Sequence, residues 1–213
     1  MASPMIQEVF GGRLIDVPGV PLAQLSESQK ALVATIGAAF AALLSLFNIA
    51  GRIGWASASD YIGRKRTYFI FFVLGAVLYA SVPTAGRSGI VPLFAALFCV
   101  ILTMYGGGFA TIPAYLADVF GTQFVGAIHG RLLTAWSAAG ILGPVLVNYI
   151  REFQIDRGVP PAQAYNVTMY VLTGLLVLGF FCNLAVRPVA ERFYMSDEEL
   201  ARERGSLAAA GRS

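Results

Sequence analysis

Apolar residues in this chain run in five long, continuous stretches, and the polar residues gather in the connections between them. The stretches cover residues 31–57, 67–82, 91–116, 125–150 and 167–186. A helix needs about 20 apolar residues to cross the roughly 30 Å hydrocarbon core of a bilayer. A barrel strand would need only about 10, in alternation. The pattern therefore predicts an all-α membrane protein with five transmembrane helices. Each stretch has its own interruptions: Asn48 and Arg52 in the first, Gly106-Gly107-Gly108 and Pro113 in the third, Arg131 and Pro144 in the fourth. Pro83 is expected to end the second. The fifth carries no charge before Arg187.

Around these spans the chain divides into residues 1–30, the end of a truncated helix followed by an extracytoplasmic loop, residues 31–187, the five-helix domain, and residues 188–213, a cytoplasmic tail. Residues 1–10 resemble a helix tail stopped by Gly11-Gly12. Ser26 with Gln29 three residues on is a capping-box pattern opening the first span, and Ser196 with Glu199 repeats it before a short polar helix over residues 197–204. Five spans with the stump of a sixth lead to the expectation of a fragment of a longer protein.

Composition sharpens this reading. Hydrophobic residues make up 57% and charged residues 13% of the 213, against about a quarter charged in soluble domains. Positive side chains in short connections set membrane orientation. One side collects Arg64, Lys65, Arg66, Arg187, Arg192, Arg202, Arg204 and Arg212; the other collects Arg13, Lys30, Arg87, Arg151 and Arg157. Eight against five predicts a cytoplasmic C-terminus in a multi-pass protein of the cell (inner) membrane. The net charge of +3 fits lipid contact, and nothing in it points to nucleic acid. Cys99 and Cys182 lie inside spans and read as packing residues. No cofactor or metal cluster is suggested, and the paired acids or nucleophile-base sets of an enzyme are missing from the spans.

The connection between the first two spans carries the densest chemistry: Gly51-Arg52-Ile53-Gly54-Trp55-Ala56-Ser57-Ala58-Ser59-Asp60-Tyr61-Ile62-Gly63-Arg64-Lys65-Arg66. Gly63 permits a tight backbone turn. Asp60 can accept hydrogen bonds at helix ends, and Arg64 is expected to pair with Asp118 at the end of the third span. Such pairs suit a gate that breaks as helices rock. This segment resembles the loop signature of the major facilitator superfamily, matched at Ala56, Asp60, Gly63, Arg64 and Lys65. Tyr61 stands where that pattern prefers a basic residue, and Ala56 where it prefers glycine. Residues 106–121 and 128–144, from Gly106-Gly107-Gly108 through Asp118 to His129-Gly130-Arg131 and Gly143-Pro144, resemble helices ten and eleven of the oxalate/formate antiporter family. Ala2-Ser3-Pro4-Met5 resembles the end of helix seven.

The resemblance implies secondary transport of a small organic anion by alternating access, with the chain forming most of the C-terminal six-helix half of a major facilitator fold. It also implies a missing N-terminal half as partner, and a proton or counter-substrate as the coupled species. The alternative is an inactive half-transporter, or one half of a split one. Arg52 lies about 12 Å inside the cytoplasmic boundary, where arginine is costly unless paired or facing water. Its planar fork suits a carboxylate, and relatives bind their anion with an arginine in this helix; snorkelling to the interface is the other reading. Arg131 either lines the pathway or snorkels. His129, the sole histidine, titrates near neutral pH but sits near a helix start, where an interfacial role fits. Oxalate exchangers carry a lysine in helix eleven, and here Trp136 stands at or near that point. Of the small monocarboxylates and dicarboxylates such carriers move, one cation beside an aromatic wall favours a monocarboxylate, or a larger carboxylate with an apolar body, over oxalate. Tyr105, Tyr115 and Trp136 are candidates to line the cavity, or else to pack.

Overall fold

The computed structural model describes residues 2–190, 195–196, 198–202 and 205. Six α-helices follow one another: α1 (Ala2–Phe10), α2 (Glu27–Ile62), α3 (Arg64–Ser88), α4 (Val91–Phe120), α5 (Val125–Asp156) and α6 (Asn166–Ala185). Helices α2 to α6 are each long and apolar enough to span a membrane, and the described residues contain no strand.

Local chemistry sets most of the boundaries. At the start of α2, the Gln29 amide donates to the Ser26 hydroxyl at 3.4 Å and the Ser26 amide donates to Gln29 Oε1 at 3.0 Å. The capping box thus starts the helix a turn earlier than hydropathy alone predicts, at Glu27. Ser196 and Glu199 form the same reciprocal pair, at 3.3 and 2.9 Å, ahead of helical residues 198–202. Asp197 and Arg204, the expected ends of that polar helix, fall outside the described residues, as do Arg192 and Arg212.

Pro83 does not end the second span. Helix α3 runs through it to Ser88, with Pro83 buried. Proline removes one N–H from the ladder, but membrane helices tolerate this when neighbours pack around the break. The stop comes instead at Gly89, with φ +72°, whose carbonyl accepts from the Arg13 guanidinium at 2.7 Å.

The core lies where α1, α2, α3 and α4 meet. Phe94 is fully buried there; its ring lies 5.2 Å from that of Phe10 and 4.9 Å from that of Phe98. The most extensive seams join α2 to α4 and α3 to α6. The α2–α4 seam is close because it lacks side chains at its centre. A Cβ on Gly51 would stand 2.6 Å from the Thr103 carbonyl carbon, and one on Gly107 would stand 2.7 Å from the Trp55 ring. Small residues are what allow such approach in membranes. Across the same seam the Trp55 indole N–H donates to Thr103 Oγ1 at 3.3 Å. Helix α5 is different: none of its residues is buried.

Candidate substrate-binding and gating site

The α2–α3 connection is a single residue. Gly63 adopts φ +92° and ψ 141°, and its amide still bonds the Ser59 carbonyl at 3.0 Å. Only glycine takes such a conformation cheaply. The turn folds Arg64 back onto the end of α2, where it bonds Asp60, the Ser59 hydroxyl and, at 3.3 Å, the Ala56 carbonyl. The expected pairing of Arg64 with Asp118 is therefore corrected. Asp60 lies near the end of α2, only four residues before Arg64, and the tight Gly63 turn brings the two together, so the carboxylate nearest in the chain wins. Asp118 faces the same cleft, about 340 Å³ in volume, together with Arg64 and Lys65. Lys65 reaches across to α6 and donates to the carbonyls of Leu184 (3.2 Å) and Val186 (2.6 Å). A cation at a helix C-terminus meets the negative end of its dipole.

Arg52 opens onto a separate groove of about 510 Å³ between α1, α2 and α4, lined among others by Ser3, Ser45, Asn48 and Leu102. Its stem passes over Gly106: a Cβ there would lie 3.3 Å from Arg52 Cγ. Among the described residues no carboxylate pairs with it; the ion pairs are Glu27–Lys30, Asp60–Arg64 and Glu8–Arg151. Asn48 sits one turn before Arg52 and is half-buried, so an amide and a guanidinium share this groove.

Tyr105 and Trp136 come together through Phe109, whose ring is 5.3 Å from each. This aromatic strip joins α4 to α5 and leaves Tyr105 and Trp136 about half exposed. Arg131 is exposed on α5, five residues before Trp136. Tyr115 turns the other way. Its hydroxyl donates to Asn183 Oδ1 at 2.9 Å, so it joins α4 to α6 and lines the cleft of Arg64, Lys65 and Asp118, away from the Arg52 groove. His129 is half-buried, with Nδ1 enclosed and unpartnered among the described residues.

The sequence model of the Major Facilitator Superfamily matches residues 3–210. The chain belongs to this superfamily. It is 34% identical over 134 residues to the oxalate:formate antiporter of Oxalobacter formigenes, an alignment covering 63% of this chain and 31% of that protein. It is 25% identical over 172 residues to apicoplast pyruvate carrier 1 of Toxoplasma gondii, covering 79% and 28% respectively. The chain thus spans less than a third of the length of the curated relatives it matches. No solved structure matches it significantly. Family membership and five long apolar helices make this a multi-pass membrane protein of the superfamily.

Several polar residues of this facilitator domain have no signal in hydropathy. Asn183, only 5% exposed, accepts from Tyr115 and donates to the Lys65 carbonyl at 3.2 Å. The Tyr68 hydroxyl donates to the Gly108 carbonyl at 2.7 Å, and Thr111 bonds both Tyr68 and Gly107. Together with Lys65 they fasten α3, α4 and α6 at one end. The signal available was the rarity of asparagine inside an apolar span, since a buried amide needs partners.

Proposed function

We propose that this chain forms most of the C-terminal half of a secondary carrier that moves a small organic anion, a monocarboxylate, across the cell (inner) membrane by alternating access. The observation that supports it is Arg52. An arginine at this depth of a span costs about 3 kcal/mol or more when unpaired, and this one faces a groove with no carboxylate of its own. A substrate carboxylate supplies the missing partner and accepts two parallel hydrogen bonds from the fork. The Tyr105–Phe109–Trp136 strip offers an apolar wall for the anion's body, and Arg131 sits on the same helix as Trp136. The names of both relatives, one handling oxalate and formate and the other pyruvate, are in keeping with a small carboxylate. An aromatic residue, Trp136, where oxalate exchangers carry a lysine favours one negative charge over two.

Helix α5, with no buried residue, suits a helix that packs against an N-terminal half, and the eight basic residues on the α2–α3 turn and tail support a cytoplasmic side for that end and the C-terminus. The coupled species is a counter-anion or a proton. In the full-length protein, Arg52→Lys is expected to abolish uptake of radiolabelled pyruvate while the variant still reaches the membrane. Normal uptake by that variant ends the assignment. Strong competition by oxalate with none by lactate would overturn the monocarboxylate reading.

A further inference from the structure

Helix α5 is held in an unusual way. Along its body the large apolar side chains are open, with Ile141, Leu142 and Tyr149 each about two-thirds exposed. Its extracytoplasmic end is the exception. Arg151 grips Glu8 of α1 with two hydrogen bonds, Nη2 to Oε1 at 2.6 Å and Nε to Oε2 at 3.1 Å. The same guanidinium lies 5.7 Å from the ring centre of Tyr165. Tyr165, only 4% exposed, precedes α6 in a corner with fully buried Ala164 and Met169. The three residues come from three different segments, and Glu8 and Arg151 are 143 positions apart. A two-pronged, partly desolvated arginine–carboxylate pair fixes orientation as well as position.

We infer that Glu8, Arg151 and Tyr165 form a fixed pin for the extracytoplasmic end of α5, the held base on which the Trp136 segment of that helix moves. Between the pin and Trp136 lie Gly140, Gly143 and Pro144. Pro144 has no N–H to offer the Gly140 carbonyl, and a Cβ on Gly140 or Gly143 would meet nothing. This is where α5 can bend most easily. The segment carrying Arg131 and Trp136 then swings on a held base while the pin stays closed. Glu8 and Arg151 touch no substrate; they are positioning residues. The reading rests on the carrier function proposed above only for its effect on transport, because the attachment of α5 can be observed directly.

The test uses the full-length protein in membranes, free of native cysteines, with Ile141→Cys as a reporter for a membrane-impermeant maleimide. Glu8→Gln is expected to raise labelling several-fold and to lower the maximal uptake rate for pyruvate with KM little changed. Arg151→Lys keeps the charge but loses the fork, and an intermediate effect is expected. The exchanged pair Glu8→Arg with Arg151→Glu is expected to restore labelling to the native level. Native labelling in both single variants, or a membrane-inserted exchanged pair that labels like Glu8→Gln, overturns the pin. If labelling responds as expected while Arg52→Lys still transports, the pin stands and the substrate assignment falls.

Discussion

The α2–α4 seam makes a prediction that can be worked from distances. Replacing Gly51 by alanine puts a methyl group 2.6 Å from the Thr103 carbonyl carbon, whereas carbon atoms in contact prefer about 3.5 Å or more. The obstacle is backbone, which cannot rotate away, so α4 must retreat by roughly 0.9 Å. A gap of that size forfeits about a quarter to a half of each dispersion contact along the seam. Overpacking of this kind costs about 1–3 kcal/mol, and alanine's better helix propensity returns about 0.5–1 kcal/mol. With the obstacle on the backbone, including the nearer Thr103 carbonyl oxygen, the cost lies toward the upper part of that range, and the net expectation for Gly51→Ala is a loss of about 1–2.5 kcal/mol. Gly54, three residues on in the same helix, is the control: a Cβ there would meet nothing within 4 Å. Thermal unfolding of the full-length protein in detergent, followed by size-exclusion chromatography, should rank Gly51→Ala below native and Gly54→Ala slightly above it. Equal midpoints for Gly51→Ala and native would refute the reasoning, since they would mean that the seam is not closely packed there.

Other consequences follow from the end of the bundle that holds Lys65 and Asn183. Asn183→Leu leaves the Tyr115 hydroxyl and the Lys65 carbonyl without their partner, at a cost of about 1–3 kcal/mol; a lowered midpoint in the same unfolding assay is expected, and no change would discount the bridge. Lys65→Met uncaps α6 and should destabilise by about 0.5 kcal/mol, detectable as faster amide exchange at residues 184–186. The donors of Ser196, the backbone amide first, hold the Glu199 carboxyl below its ordinary value of 4.5. Because the folded value is depressed, that contribution is present above the ordinary value and is lost as pH falls through the folded one. Amide exchange over residues 198–202 should therefore show protection that drops on acidification, and Ser196→Ala should remove the dependence.

The number and order of the membrane helices were legible because a bilayer imposes a minimum apolar length, which is a count of residues; their full lengths were not, since polar ends and Pro83 are carried inside them. The start of α2 was legible for a different reason: Ser26 and Gln29 satisfy orphan amides within four residues, a purely local bargain. Azimuth was not legible. Hydropathy treats Tyr105 and Tyr115 alike, yet one faces Phe109 and the other Asn183, because the seams that decide facing are made by distant segments. Pro83 misled because its local effect is real and its tertiary compensation is invisible in sequence. Arg64 misled in the opposite sense, since the long-range partner was sought where the acid four residues away sufficed. At the candidate site, the position of Arg52 along α2 followed from counting residues, but its groove with Ser3 and Asn48 depends on where α1 lies. Glu8 and Arg151, far apart in the chain, gave no pairwise signal at all.

The single-residue elbow at Gly63 has a mechanical consequence. Two helices of 36 and 25 residues share one pair of soft torsions, and Arg64 straps the second back onto the first. Such a joint has no slack to store. Axial sliding of one helix past the other is limited to about the 3.8 Å that separates adjacent Cα atoms. Displacement at the Arg52 level must therefore pass to α3, and from α3 through Lys65 to the end of α6, as it would along a stiff bell crank. A flexible insert of a few glycines after Gly63 would leave every contact residue in place and disconnect that linkage.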